Sequence, residues 1–109
     1  MNGSDEQYAL NAAAVELKLV LQDNGYEAQR QRLIASVNDL LANNFDKLVS
    51  ILYRMDVNES KLRLLLRESQ GENAAELIAT LMLERELQKI RSRREHRKDD
   101  HTIDEQEKW

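Results

Sequence analysis

Not one proline occurs in the 109 residues, and the three glycines stand far apart, at Gly3, Gly25 and Gly71. Hairpins and tight turns depend on Gly, Pro and Asn at special backbone angles, so a strand-rich fold lacks its usual punctuation here. Leu, Ala, Glu, Arg and Lys dominate instead, all of them good helix formers. An all-α fold follows. Hydrophobic residues make up 41% and charged residues 33%, a balance that supports a buried core and differs from the low-apolar composition of chains that stay unfolded.

Helix start and stop signals divide the chain into about five segments. Ser4 and Gln7 have capping-box spacing, which predicts a first helix over about residues 5–23, stopped by a C-terminal cap at Gly25. A second helix over about 26–42 carries Leu33, Ile34, Val37, Leu40 and Leu41 on one stripe. Asn43 and Asn44 mark a bend before a third helix over 45–55. There Phe45, Leu48, Val49, Ile51, Leu52 and Met55 cover well over half the circumference, the pattern of a buried central helix, with Tyr53 at its edge. Asp56 and Glu59 have the spacing to cap a fourth helix, onto which Val57 can staple. Asn73 and Glu76 open a fifth and longest helix, reaching about Arg97. The architecture expected is a compact bundle of about five helices with a long C-terminal helix. Residues 1–98 are expected to form a single helical domain, and 99–109 a polar, flexible tail ending in Trp109.

A turn of about 100° per residue shows which helices need more than one partner surface. In the first helix Tyr8, Ala12, Val15 and Leu19 form one stripe, and Leu10, Ala14, Leu17 and Leu21 another. In the last, Ala74, Leu77, Ile78, Leu81 and Met82 share one arc, while Leu83, Leu87 and Ile90 lie apart. The first helix of the same chain can cover that second set. So can a second chain in a twofold dimer, which is the favoured expectation; its candidate stripe is Leu83, Leu87, Ile90, Leu10, Leu17 and Leu21.

Catalytic and cofactor chemistry finds little to stand on. No cysteine is present, so disulfides, thiolate nucleophiles and Cys-type zinc sites are excluded, which fits a cytoplasmic setting. His96 and His101 lie in the polar C-terminal region, neither has a glutamate three residues before it as di-iron bundles require, and the scattered glycines form no phosphate-cradling loop. His96 with Asp100, and His101 with Glu105, share the i, i+4 spacing of a surface metal pair, but nothing nearby orients them. No catalytic residue, metal, cofactor or small-molecule substrate is expected. The first residues are acidic and no apolar run approaches the roughly 20 residues of a membrane span, so neither an export signal nor a membrane anchor is expected.

Net charge is −4, yet Arg91, Arg93, Arg94, Arg97 and Lys98 form a basic run that can neutralise phosphates. Glu95 interrupts the run and Asp99, Asp100, Asp104, Glu105 and Glu107 follow it, so nucleic-acid binding is the alternative reading, not the main one. The stretch from Phe45 through Tyr53, Arg54, Met55, Asp56 and Val57, with Ala75-Glu76-Leu77-Ile78-Ala79 and Glu84-Arg85, resembles short helical proteins of uncharacterised bacterial families. That resemblance covers about half the chain and implies no activity. The expectation is a helical protein-interaction or regulatory module that self-associates, most simply as a homodimer.

Overall fold

A computed structural model describes residues 3–70 and 73–106. Within them the chain forms α1 (Gly3–Glu16), α2 (Tyr26–Asn43), α3 (Phe45–Met55), α4 (Glu59–Glu68) and α5 (Ala74–Gln106), with no strand among the described residues. It is the all-α bundle with a long last helix that the sequence predicts. α5 packs against each of the other four helices and so forms the centre of the bundle. The expectation that α3 is the buried centre is corrected: only the longest helix has enough length to touch all the others.

At about 1.5 Å per residue, the 33 residues of α5 rise about 50 Å, matching the 53 Å longest dimension of the molecule. The radius of gyration is 16.3 Å, against on the order of 13 Å for an equidimensional chain of this length. α5 therefore projects beyond its partners. Its backbone is helical through Gln106, past the expected end near Arg97 and into the segment expected to be a flexible tail. No Gly or Pro interrupts it there, so nothing in the chain stops propagation. Trp109 lies outside the described residues.

α1 stops earlier than its pattern suggests. Lys18 takes the left-handed conformation, φ 57°. Its N–H donates to the Val15 carbonyl at 3.0 Å and the Leu19 N–H to the Ala14 carbonyl at 2.9 Å. These are the two bonds of a Schellman C-cap, made here without glycine. The early stop lets Leu19 and Leu21 turn back and pack against the core, where a helix continuing to Asp23 would carry them past it. Gly25 is accordingly the N-cap of α2, φ 97° and ψ 154°, and not the C-cap of α1. Ser4 lies inside α1, which begins at Gly3, so it does not cap it. The connecting loop is held from outside: Gln7 Nε2 donates to Gln29 Oε1 at 2.7 Å, and Gln29 Nε2 to the Gln22 carbonyl at 2.7 Å.

α3 ends in a second Schellman motif, with Asp56 at φ 63° and the Val57 N–H donating to the Leu52 carbonyl at 3.1 Å. Asp56 is thus committed to ending α3. The N-cap of α4 is Asn58, whose side chain accepts from the Lys61 N–H at 2.9 Å. Asn73 also departs from its expected role: it has φ 57°, not an extended cap conformation, and its carbonyl accepts the Leu77 N–H. Ala9, Leu10, Ala13, Leu33, Val37, Leu48, Ile51, Met55, Ile78, Ala79 and Met82 form the dry centre. α4 contributes no fully buried residue.

Candidate functional site

The residues singled out in sequence for self-association lie within the chain's own packing, which corrects their assignment as an outward stripe. Leu10, Leu17 and Leu83 are buried in the core, and Leu21, Leu87 and Ile90 are partly buried against it. The physical reason is that α1 docks along α5, so each helix covers part of the other's apolar surface. On α1 the buried arc takes in Asp5, Ala9, Leu10, Ala13 and Ala14, with Leu17 just beyond its end, and leaves Tyr8 and Val15 outside.

A second apolar arc that the fold leaves uncovered lies on α3. Asn44 caps it, accepting the Lys47 N–H at 3.3 Å, and Asp56 ends it, so its eleven residues are set in one orientation. Leu48, Ile51, Leu52 and Met55 are buried. Phe45, Val49 and Tyr53 are 57%, 47% and 89% exposed. Spaced by four residues, they fall about 40° apart and make one continuous stripe. One margin of the stripe runs into the buried face; on the other stand Asp46, Ser50 and Arg54, all exposed. Arg54 Nε donates to Glu16 Oε1 at 2.9 Å, tying α3 to the end of α1.

Sequence reasoning placed Phe45 and Val49 in the core because the helix is apolar over most of its circumference. The same width was the available signal. An arc wider than one packing surface needs a second, and the test applied to the first and last helices flags this one as well.

The basic run is only partly an open surface. Arg94 makes a two-point pair with Asp5: Nη2 to Oδ1 at 2.9 Å and Nη1 to Oδ2 at 3.2 Å. Asp5 is nearly buried, and the hydrogen bond from Arg94 holds its carboxyl below the ordinary value of 3.8, against the opposing effect of burial. Arg91 adds to the positive field at Asp5 and lines a groove on α5. Arg93 is exposed. The side chains of His96, Arg97, Lys98 and His101 lie outside the described residues.

That groove, of about 760 Å³, runs between the α3–α4 turn and α5, over Val57, Leu81 and Leu87. Its charged groups engage one another across the gap. Arg85 donates from Nη2 to Asp56 at 2.9 Å and from Nη1 to Gln88 at 2.9 Å, while Lys61 Nζ donates to Glu84 at 3.2 Å. Arg85 Nε is buried without a hydrogen-bond partner. Glu86, buried on α5, is held by Lys89 Nζ at 3.1 Å. Among the described residues, no group of three or more His, Asp or Glu is placed to hold a metal ion, and no helix is long and apolar enough to cross a membrane.

No known protein family, characterised protein or solved structure matches the chain.

Proposed function

We propose that this chain is a helical protein-interaction module that self-associates, and that it does so through the α3 face of Phe45, Val49 and Tyr53. The observation that carries the reading is the exposure of these three side chains in one stripe on a helix whose other face is fully packed. A solitary exposed apolar residue is ordinary, but a contiguous apolar patch marks a contact site.

Full burial of such a side chain returns roughly 1.5 to 3 kcal/mol, and a twofold contact counts each one twice. Association itself costs roughly 4 to 15 kcal/mol. The two terms are of similar size, which fits a reversible contact, suited to a regulatory module more than to an obligate assembly. The cysteine-free composition supports action in the cytoplasm, and no catalytic role belongs to this reading.

Light scattering after gel filtration tests it. The mass is expected to rise from 12.7 kDa toward twice that value across the micromolar range, and Val49→Glu is expected to hold it at the lower value. A wild-type chain that stays at 12.7 kDa throughout rejects the proposal.

A further inference from the structure

We infer that the second copy docks α3 against α3 in antiparallel fashion, about a twofold axis near Ser50, so that Asp46 of each copy faces Arg54 of the other. This rests on the self-association proposed above and adds its geometry. The stripe is symmetric about Val49, with an aromatic four residues to either side. Antiparallel pairing sets Phe45 against Tyr53 of the other copy at both ends and the smaller Val49 side chains against each other in the middle, a shape-matched seam.

The margin of the stripe decides the direction. Asp46, Ser50 and Arg54 follow one another at four-residue intervals along the same edge, and all three are exposed. A twofold axis perpendicular to two antiparallel helices brings like edges together. Asp46 then meets Arg54 twice, and neutral Ser50 meets itself at the axis. Parallel docking, about an axis along the helices, would instead turn the edge of Asp46 and Arg54 toward the opposite margin of the other copy's stripe, so neither ion pair would form, and would align the two helix dipoles unfavourably. The bond from Arg54 Nε to Glu16 occupies one of five guanidinium donors, so the side chain can serve a second carboxylate.

A plainer role exists for the same charges: Asp46 in the first turn and Arg54 in the last turn suit the dipole of α3 itself. The two roles give opposite outcomes on charge reversal. In sedimentation equilibrium, Asp46→Arg and Arg54→Asp should each weaken the dimer roughly three- to tenfold, by setting like charges together twice. The double variant should return to within about twofold of wild type, and all differences should shrink in 1 M salt, where screening is nearly complete.

Single reversals without effect on dimerisation overturn the antiparallel geometry. So does a double variant weaker than either single, which is the order expected if the charges serve only the α3 dipole. Glu16→Gln, which removes the other partner of Arg54 and leaves the stripe margin intact, is expected to leave the dimer unchanged; if it matches Arg54→Asp, the cross-copy pair is rejected. Failure of self-association itself looks different, because the wild-type chain is then a monomer in every salt.

Discussion

Asp5 and Arg94, 89 positions apart in the chain, close a two-point ion pair that joins the first turn of α1 to the part of α5 beyond its last buried residues. The carboxylate is nearly buried and the guanidinium half exposed, so the pair straddles the edge of the core. Asp5→Asn should lower the melting temperature and raise amide exchange in α1 ahead of the rest of the bundle. Because Arg94 lowers the Asp5 pKa below its ordinary 3.8, the carboxylate contributes stability at neutral pH, and that contribution fades as pH falls through the lowered folded value. The gap between wild type and Asp5→Asn in urea unfolding should therefore be constant above about pH 5 and close at lower pH. A gap that widens on acidification would contradict this.

Leu83 belongs to the core, so its substitution is a stability experiment. Leu83→Ala should cost roughly 2 to 5 kcal/mol, and Leu83→Glu should abolish the cooperative unfolding transition seen by circular dichroism. Tyr53→Ser, at 89% exposure, should change monomer stability by less than about 0.5 kcal/mol while weakening association. The reverse ranking would place the interface on α5.

Two backbone positions carry opposite expectations. Gly25 sits at φ 97° and ψ 154°, open to almost no other residue, and a Cβ there would meet nothing within 4 Å. Gly25→Ala should thus cost about 1 to 3 kcal/mol through the backbone alone. Lys18 occupies a left-handed cap that glycine fills without strain, and Lys18→Gly should stabilise by up to about 1 kcal/mol. Urea midpoints of the two variants check both signs.

Asn58 accepts the Lys61 N–H at 2.9 Å, whereas Asn44 accepts the Lys47 N–H at 3.3 Å. Asn58→Ala should cost about 1 kcal/mol and Asn44→Ala less, as read from chemical denaturation. Equal costs would show that the longer bond is as strong as the shorter.

Helix number, the bounds of α2 and α3, and the rank of the last helix as the longest element were legible in sequence, because capping residues and a 3.6-residue apolar period act over a few positions of local chain. Asn44 and the stripe of Leu33 and Val37 are readable for that reason. Local rules did not show where α1 stops. Nothing in Glu16-Leu17-Lys18 opposes helix; the chain turns there because Leu19 and Leu21 gain burial by folding back, a gain that exists only once the core is assembled.

The same division runs through the candidate site. From sequence alone, the protein is determined to be an all-helical bundle with a long last helix, and its first and last helices are read as carrying more than one apolar face. Which surface is left over was decided by the tertiary structure. α1 and α5 pack on each other with Leu10, Leu17 and Leu83 in the core, while Tyr8 and Val15 of α1 stay exposed. α3 keeps Phe45, Val49 and Tyr53 outside, because an eleven-residue helix flanked by two caps offers only one face to its neighbours.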